Sequence, residues 1–196
     1  MNQAEAFLEA VTRLHREKDA AYRNAWKKRG EVLSILANIA RKVDRLQSVV
    51  EGGPTTRDES LMDTAVDLLV YCLKYQTYLA DLDATAAQVL LGACTDAVAS
   101  PYSDGPAGFE HLLARLDLAG LERPGPTLRA AAARATACFD ELQACYVGLT
   151  TRHSAVARLV RVQALASSAV SLVGALNRED PAQYRAFLAS YLEGGD

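Results

Sequence analysis

The chain has no marked excess of either charge. Lys and Arg number 21 against 24 Asp and Glu, a net charge of −3 over 196 residues. That balance argues against a protein that coats nucleic acid, which carries a strong basic excess. It leaves room for a small anionic ligand held by a local basic cluster. Cysteine is scarce, and none of Cys72, Cys94, Cys138 and Cys145 forms a C-x-x-C pair or has a histidine at zinc-ligand spacing. They read as small buried hydrophobes in a reducing compartment. The start, MNQAEAFLEA, lacks the basic region and long apolar run of a secretory signal. The most membrane-like run, residues 162–176, is too short and too rich in Gln, Ser and Gly to span a bilayer. A cytoplasmic protein with no membrane partner is therefore expected. Internal repeats, Asn-Gly hairpin turns, sustained two-residue alternation and glycine-rich phosphate loops are all missing from the sequence.

What is present is apolar periodicity at three- and four-residue steps, which predicts an all-α helical bundle. The first helix is expected over about residues 3–24, with Phe7, Leu8, Val11 and Leu14 inward and Gly30 ending or bending the segment. A second runs over 31–50 and is broken by EGGPTT. A third begins near Asp58, where Thr56 and Glu59 fit a capping box. Further helices are expected over 84–99, 109–118, 127–149 and 154–176, and a last one starts at Pro181 behind an Asp180 cap. Composition shifts near residue 100, so residues 1–99 read as a core and residues 100–196 as a helical extension that packs on it or forms an oligomer interface.

The third helix carries a ladder of like charges. Glu59, Asp63 and Asp67 stand four residues apart inside an apolar run, and each like-charge pair costs a helix about 0.2–0.5 kcal/mol. A cation must compensate. On a helical wheel Glu59, Asp63, Asp67, Tyr71 and Lys74 form one polar stripe. On the second helix Glu31, Asn38, Lys42 and Arg45 form another. Packed face to face, the two stripes would enclose a groove with carboxylates on one wall and a Lys/Arg pair on the other. Such a groove suits a phosphate bound through Mg²⁺, with Mn²⁺ as a substitute. Asp63, Asp67 and Glu59 would hold the metal. Glu59 or Glu31 would act as base, Lys42 and Arg45 would bind phosphate, and Asn38 and Tyr71 would face the substrate. The plainer alternative is that Asp63 and Asp67 form interhelical salt bridges with Lys42 and Arg45. Elsewhere, His15, His111 and His153 read as surface or capping residues. Arg152, Arg158 and Arg161 read as a solvated face, with contact to a phosphate as the alternative, and Trp26 and Tyr22 as core, with stacking on a base as the alternative.

The pieces Tyr22, Trp26 and Gly30, the Lys42–Leu46 stretch, and the pattern at Glu59, Ser60, Asp63, Thr64, Asp67, Leu68 and Tyr71 resemble the nucleotide modification associated domain family. The likeness covers about a third of the chain, from Lys18 to Ala80. It implies a relation to all-α NTP pyrophosphatases of the MazG and dimeric dUTPase type. The implied properties are a MazG-like bundle with extra C-terminal helices, a homodimer or higher oligomer, and a nucleotide substrate. The implied activity is Mg²⁺-dependent cleavage of a phosphoanhydride of a nucleoside di- or triphosphate, with Asp67 matching the aspartate of the family's ExxD motif. Two departures stand out. Thr64 takes the place of the motif's Glu, and Glu31 is followed by Ser34 where a second acid is expected. They imply either one metal rather than two or a non-catalytic bundle that binds a nucleotide or a protein.

Overall fold

The computed structural model describes residues 2–53, 60–92 and 100–193. Thr56, Glu59 and Cys94 lie outside them. Among these residues the fold is all-α apart from one two-stranded hairpin. The helices are α1 (Gln3–Tyr22), α2 (Ala37–Val50), α3 (Leu61–Leu82), α4 (Ala84–Leu91), α5 (Ala107–Leu113), α6 (Ala119–Glu122), α7 (Leu128–Gln143), α8 (Ala155–Glu179) and α9 (Pro181–Leu192).

Local chemistry sets most of the helix starts. Asn2 and Glu5 form a reciprocal capping box at α1, with Glu5 N donating to Asn2 Oδ1 at 2.8 Å and Asn2 N to Glu5 Oε2 at 3.0 Å. Thr127 and Ser154 cap α7 and α8 through their side-chain oxygens. Asp180 caps α9 and Pro181 occupies its first turn, as expected.

Helix α8 runs through the centre. Its Leu159, Val162, Leu165, Ala169, Leu172 and Val173 are all fully buried, and it packs on α3 and on α7. Leu68, Leu69 and Leu73 of α3 lie in the same apolar core as these residues and as Phe7, Val11 and Leu14 of α1. Residues on both sides of position 100 therefore share one core. Each fully buried Leu contributes about 1.5–3 kcal/mol over its exposed state. By length and composition α8 is long and apolar enough to cross a membrane. It exceeds the expected 154–176 by one turn, and its apolar side chains are spent on the interior of the bundle.

Two departures from regular helix matter. The segment expected as one helix over 31–50 begins as a π-helix, Glu31–Leu36, before turning α at Ala37. Its i→i+5 bonding winds fewer degrees per residue than an α-helix, so side chains before Ala37 leave the register of those after it. Asn38 Nδ2 donates to the Ser34 carbonyl at 2.7 Å and so helps close the wide turn. The region expected as helix to 149 ends at Gln143 and becomes a hairpin, with Tyr146 opposite Thr151 and Val147 opposite Thr150. Gly148, at φ +58°, takes the first loop position, where two-residue hairpins of the II′ kind need glycine.

Candidate functional site: a cationic cleft between α1, α2 and α3

Asp67 sits midway along α3 with its side chain 14 % exposed, and two lysines converge on it. Lys18 of α1 donates to Oδ1 at 2.6 Å, and Lys42 of α2 lies 2.9 Å from Oδ2. Burial alone would raise the Asp67 pKa. The two ammonium groups overturn that and hold it below the ordinary carboxylate value. The Asp67–Lys42 pairing is the interhelical salt bridge of the plainer alternative, with Lys18 added as a second partner.

Asp63 has a different role from the one expected. Helix α3 begins at Ser60, and Ser60 and Asp63 form its capping box. Asp63 N donates to Ser60 Oγ at 3.0 Å, while Ser60 N and Oγ donate to Asp63 Oδ2 at 3.1 and 2.8 Å. The sequence pattern puts the cap at Thr56 and leaves Asp63 to the metal; the structure puts the cap four residues later, at Ser60. Asp63 and Asp67 still line a common cavity of about 480 Å³ with Lys18, Lys42, Ser190 and Tyr191.

Glu31 does not join the stripe of Lys42. Its Oε1 accepts from Tyr146 OH at 2.8 Å, from Tyr75 OH and from the Arg158 guanidinium. The side chains of Glu31 and Arg158 are 11 % and 8 % exposed. The π-helical winding of 31–36 accounts for this, because a wheel drawn at the α-helical angle puts Glu31 on the wrong side. Arg158 is accordingly a buried ion-pair partner, not part of a solvated face. Burial opposes its charge, but the Tyr146 bond and the Glu31 carboxylate outweigh it and raise its pKa. The same burial, with Glu31 beside it, pushes the Tyr75 phenol up.

On the other side of Asp67 opens a cleft of about 410 Å³. Lys18, Arg23, Arg41, Lys42 and Lys74 line it, with Asp67 as the one lining carboxylate among the described residues. Tyr22, Trp26, Asn38 and Tyr71 complete its walls. Of the expected substrate-facing residues Lys42, Asn38 and Tyr71 are here, although both polar ends of Asn38 are engaged, since its Oδ1 accepts from Arg41. Arg45 is half-buried and lines neither this cleft nor the Asp63 cavity. Lys74 is the most enclosed of the cations, at 8 % exposure. Its Nζ lies 5.2 Å from the centre of the Trp26 ring and 3.9 Å from Asp19. Burial lowers its pKa, Asp19 opposes the shift, and Lys18 and Lys27 add to it. Trp26 is core, as expected, with a buried Nε1 that has no partner among the described residues. Tyr22 is 68 % exposed and is not core.

Wheel reading of α2 and α3 alone missed Lys18, Arg23, Arg41 and a role for Lys74 in the cleft. Lys18 and Tyr22 stand four apart on α1, and that spacing was the available signal.

Among the described residues no three Asp, Glu, His or Cys side chains cluster as a metal site. Asp63 is engaged in a cap and Asp67 is neutralised by two ammonium groups. The described donors therefore do not make a Mg²⁺ site by themselves, and Glu59, the expected third donor, lies outside the described residues. No family model, curated protein or solved structure compared with the chain matches it.

Proposed function

We propose that the cleft binds the phosphate end of a nucleotide-like anion. The observation that carries this reading is the imbalance of its lining among the described residues, five cations against one carboxylate. A lining of that kind in a concave, partly desolvated site attracts anions. Lys74 adds to it, because a lysine this buried whose nearest carboxylate stands at 3.9 Å gains most from a phosphate oxygen at close range. The resemblance of residues 18–80 to the nucleotide modification associated domain family supports the nucleotide class. Isothermal titration with a panel of nucleoside triphosphates, at low and high salt, tests the proposal. Binding is expected to weaken with salt, and to weaken as pH rises toward 10.5, because Lys74 loses its proton early. It is expected to fall at least tenfold in Lys74→Met. Absence of binding by any triphosphate would refute it.

A second reading, a Mg²⁺-dependent hydrolase of MazG-like fold acting on a nucleoside di- or triphosphate as a homodimer, draws on one observation. Asp63 and Asp67 share a cavity with Lys18 and Lys42. Its test is release of pyrophosphate or phosphate in the presence of Mg²⁺ or Mn²⁺, lost in Asp63→Asn, together with the dimer mass by sedimentation. Binding without release would favour the first reading.

A further inference from the structure

Arg23 closes α1 in a backbone conformation that belongs to glycine. Its φ is +46° and its ψ −128°, and among the described residues no other non-glycine residue has positive φ. Side chains with a Cβ rarely adopt this region, which glycine enters at no steric cost. The turn itself needs nothing from an arginine. Its hydrogen bond runs from the Arg23 backbone N–H to the Asp19 carbonyl, which glycine would supply equally well. The guanidinium is exposed and, among the described residues, makes no ion pair or hydrogen bond. Nothing it touches among those residues offsets the strain.

Its position gives it a use. Arg23, the first residue of the 3-10 turn Arg23–Lys27, lines the cationic cleft and also a second cavity of about 600 Å³. Tyr22, Tyr78 and Leu82 give that second cavity apolar walls. Tyr22 and Ala25 are also common to both. Strain of this kind is retained where a side chain is wanted at a site of action.

We infer that Arg23 is a ligand-binding residue, held in a glycine conformation so that its guanidinium grips the phosphates of a ligand that spans both cavities. The ligand places its phosphates among Lys18, Lys42 and Lys74 and its ring against Tyr22 and Tyr78. This rests on the proposed anion-binding reading and adds to it a residue, a cost and a ligand shape.

The test compares the full chain with Arg23→Gly and Arg23→Asn, titrated with a nucleoside triphosphate panel and with inorganic tripolyphosphate, alongside thermal unfolding without ligand. Both variants lack the guanidinium, and glycine also suits the backbone. The thermal midpoint is expected to rise by about 2–4 °C in Arg23→Gly as the strain is released. Affinity for the best triphosphate is expected to fall at least tenfold, and tripolyphosphate is expected to bind the unaltered chain at least tenfold more weakly than that triphosphate. Unchanged triphosphate affinity in both variants overturns the role of Arg23 while leaving the anion cleft standing. Equal affinity for tripolyphosphate and the triphosphate overturns the two-cavity ligand. A lower midpoint in both variants overturns the strain. No binding of any probe by the unaltered chain overturns the cleft itself and this inference with it.

Discussion

Acid should destabilise this protein through one side chain, His15. Its ring is 1 % exposed and stacks on Phe109 with centroids 3.7 Å apart and planes within 6°. Neither Nδ1 nor Nε2 has a partner among the described residues. Burial, then the nearby charges of Lys74 and Arg16, push its pKa from 6.5 down to about 3. The native state therefore holds His15 neutral where the unfolded chain takes up a proton. The contribution is complete above pH 6.5, and it is lost as pH falls from there toward 3. At about 1.36 kcal/mol per pH unit, the loss between neutrality and pH 5 is about 2 kcal/mol. Urea unfolding at pH 7.5 and pH 5.0, for the unaltered chain and for His15→Leu, measures it. The variant should be at least as stable at pH 7.5, because two unsatisfied nitrogens leave the core at a gain of order 1–3 kcal/mol. It should also lack most of the acid-dependent loss. Parallel losses in the two proteins would refute the argument.

Three other perturbations have definite outcomes. Asp67→Asn leaves Lys18 and Lys42 without their carboxylate and should cost roughly 2–4 kcal/mol in urea unfolding, less than a fully buried pair because Lys18 is 40 % exposed; in the unaltered chain the carboxylate's contribution is complete above pH 3.8 and should be lost only as pH falls below it, since the two ammonium groups lower the Asp67 pKa. Arg158→Met strands the Glu31 carboxylate beside two phenols and should cost about 3–5 kcal/mol, while the double change Glu31→Gln with Arg158→Met should recover much of the loss. In Gly174→Ala the new methyl would sit 2.2 Å from the Gly120 carbonyl oxygen, so α6 must shift off α8 and the thermal midpoint should fall by several degrees.

Helices were legible where side chains announce their ends. Ser154 and Asp180 with Pro181 act at the ends where sequence rules put them, whereas Gly30, expected to end the first helix, opens the next one, and Arg23 closes α1. The hairpin at 146–151 was not legible, because two-residue strands are too short for alternation and sit between two Ala-rich helices. His15, expected at the surface or in a cap, is core, and it stands four residues beyond Val11 and eight beyond Phe7 on the buried face. The Lys42–Asp67 pairing could be drawn from two helical wheels. Lys18 needed the third helix, whose polar face was not drawn. Glu31 was beyond any wheel, since nothing in EVLSIL distinguishes π from α winding and the decision belongs to tertiary partners 44 to 127 positions away.

That wide turn also bears on tolerance to length change. A helix wound i→i+5 holds one more residue per hydrogen-bonded ring than its α neighbour. Removing a single residue from 32–35 could tighten the coil to ordinary winding while leaving everything from Ala37 onward in place, Lys42 included. What such a shortened chain would give up is the anchorage of Glu31, and with it the pin joining the start of that coil to α3, the hairpin and α8.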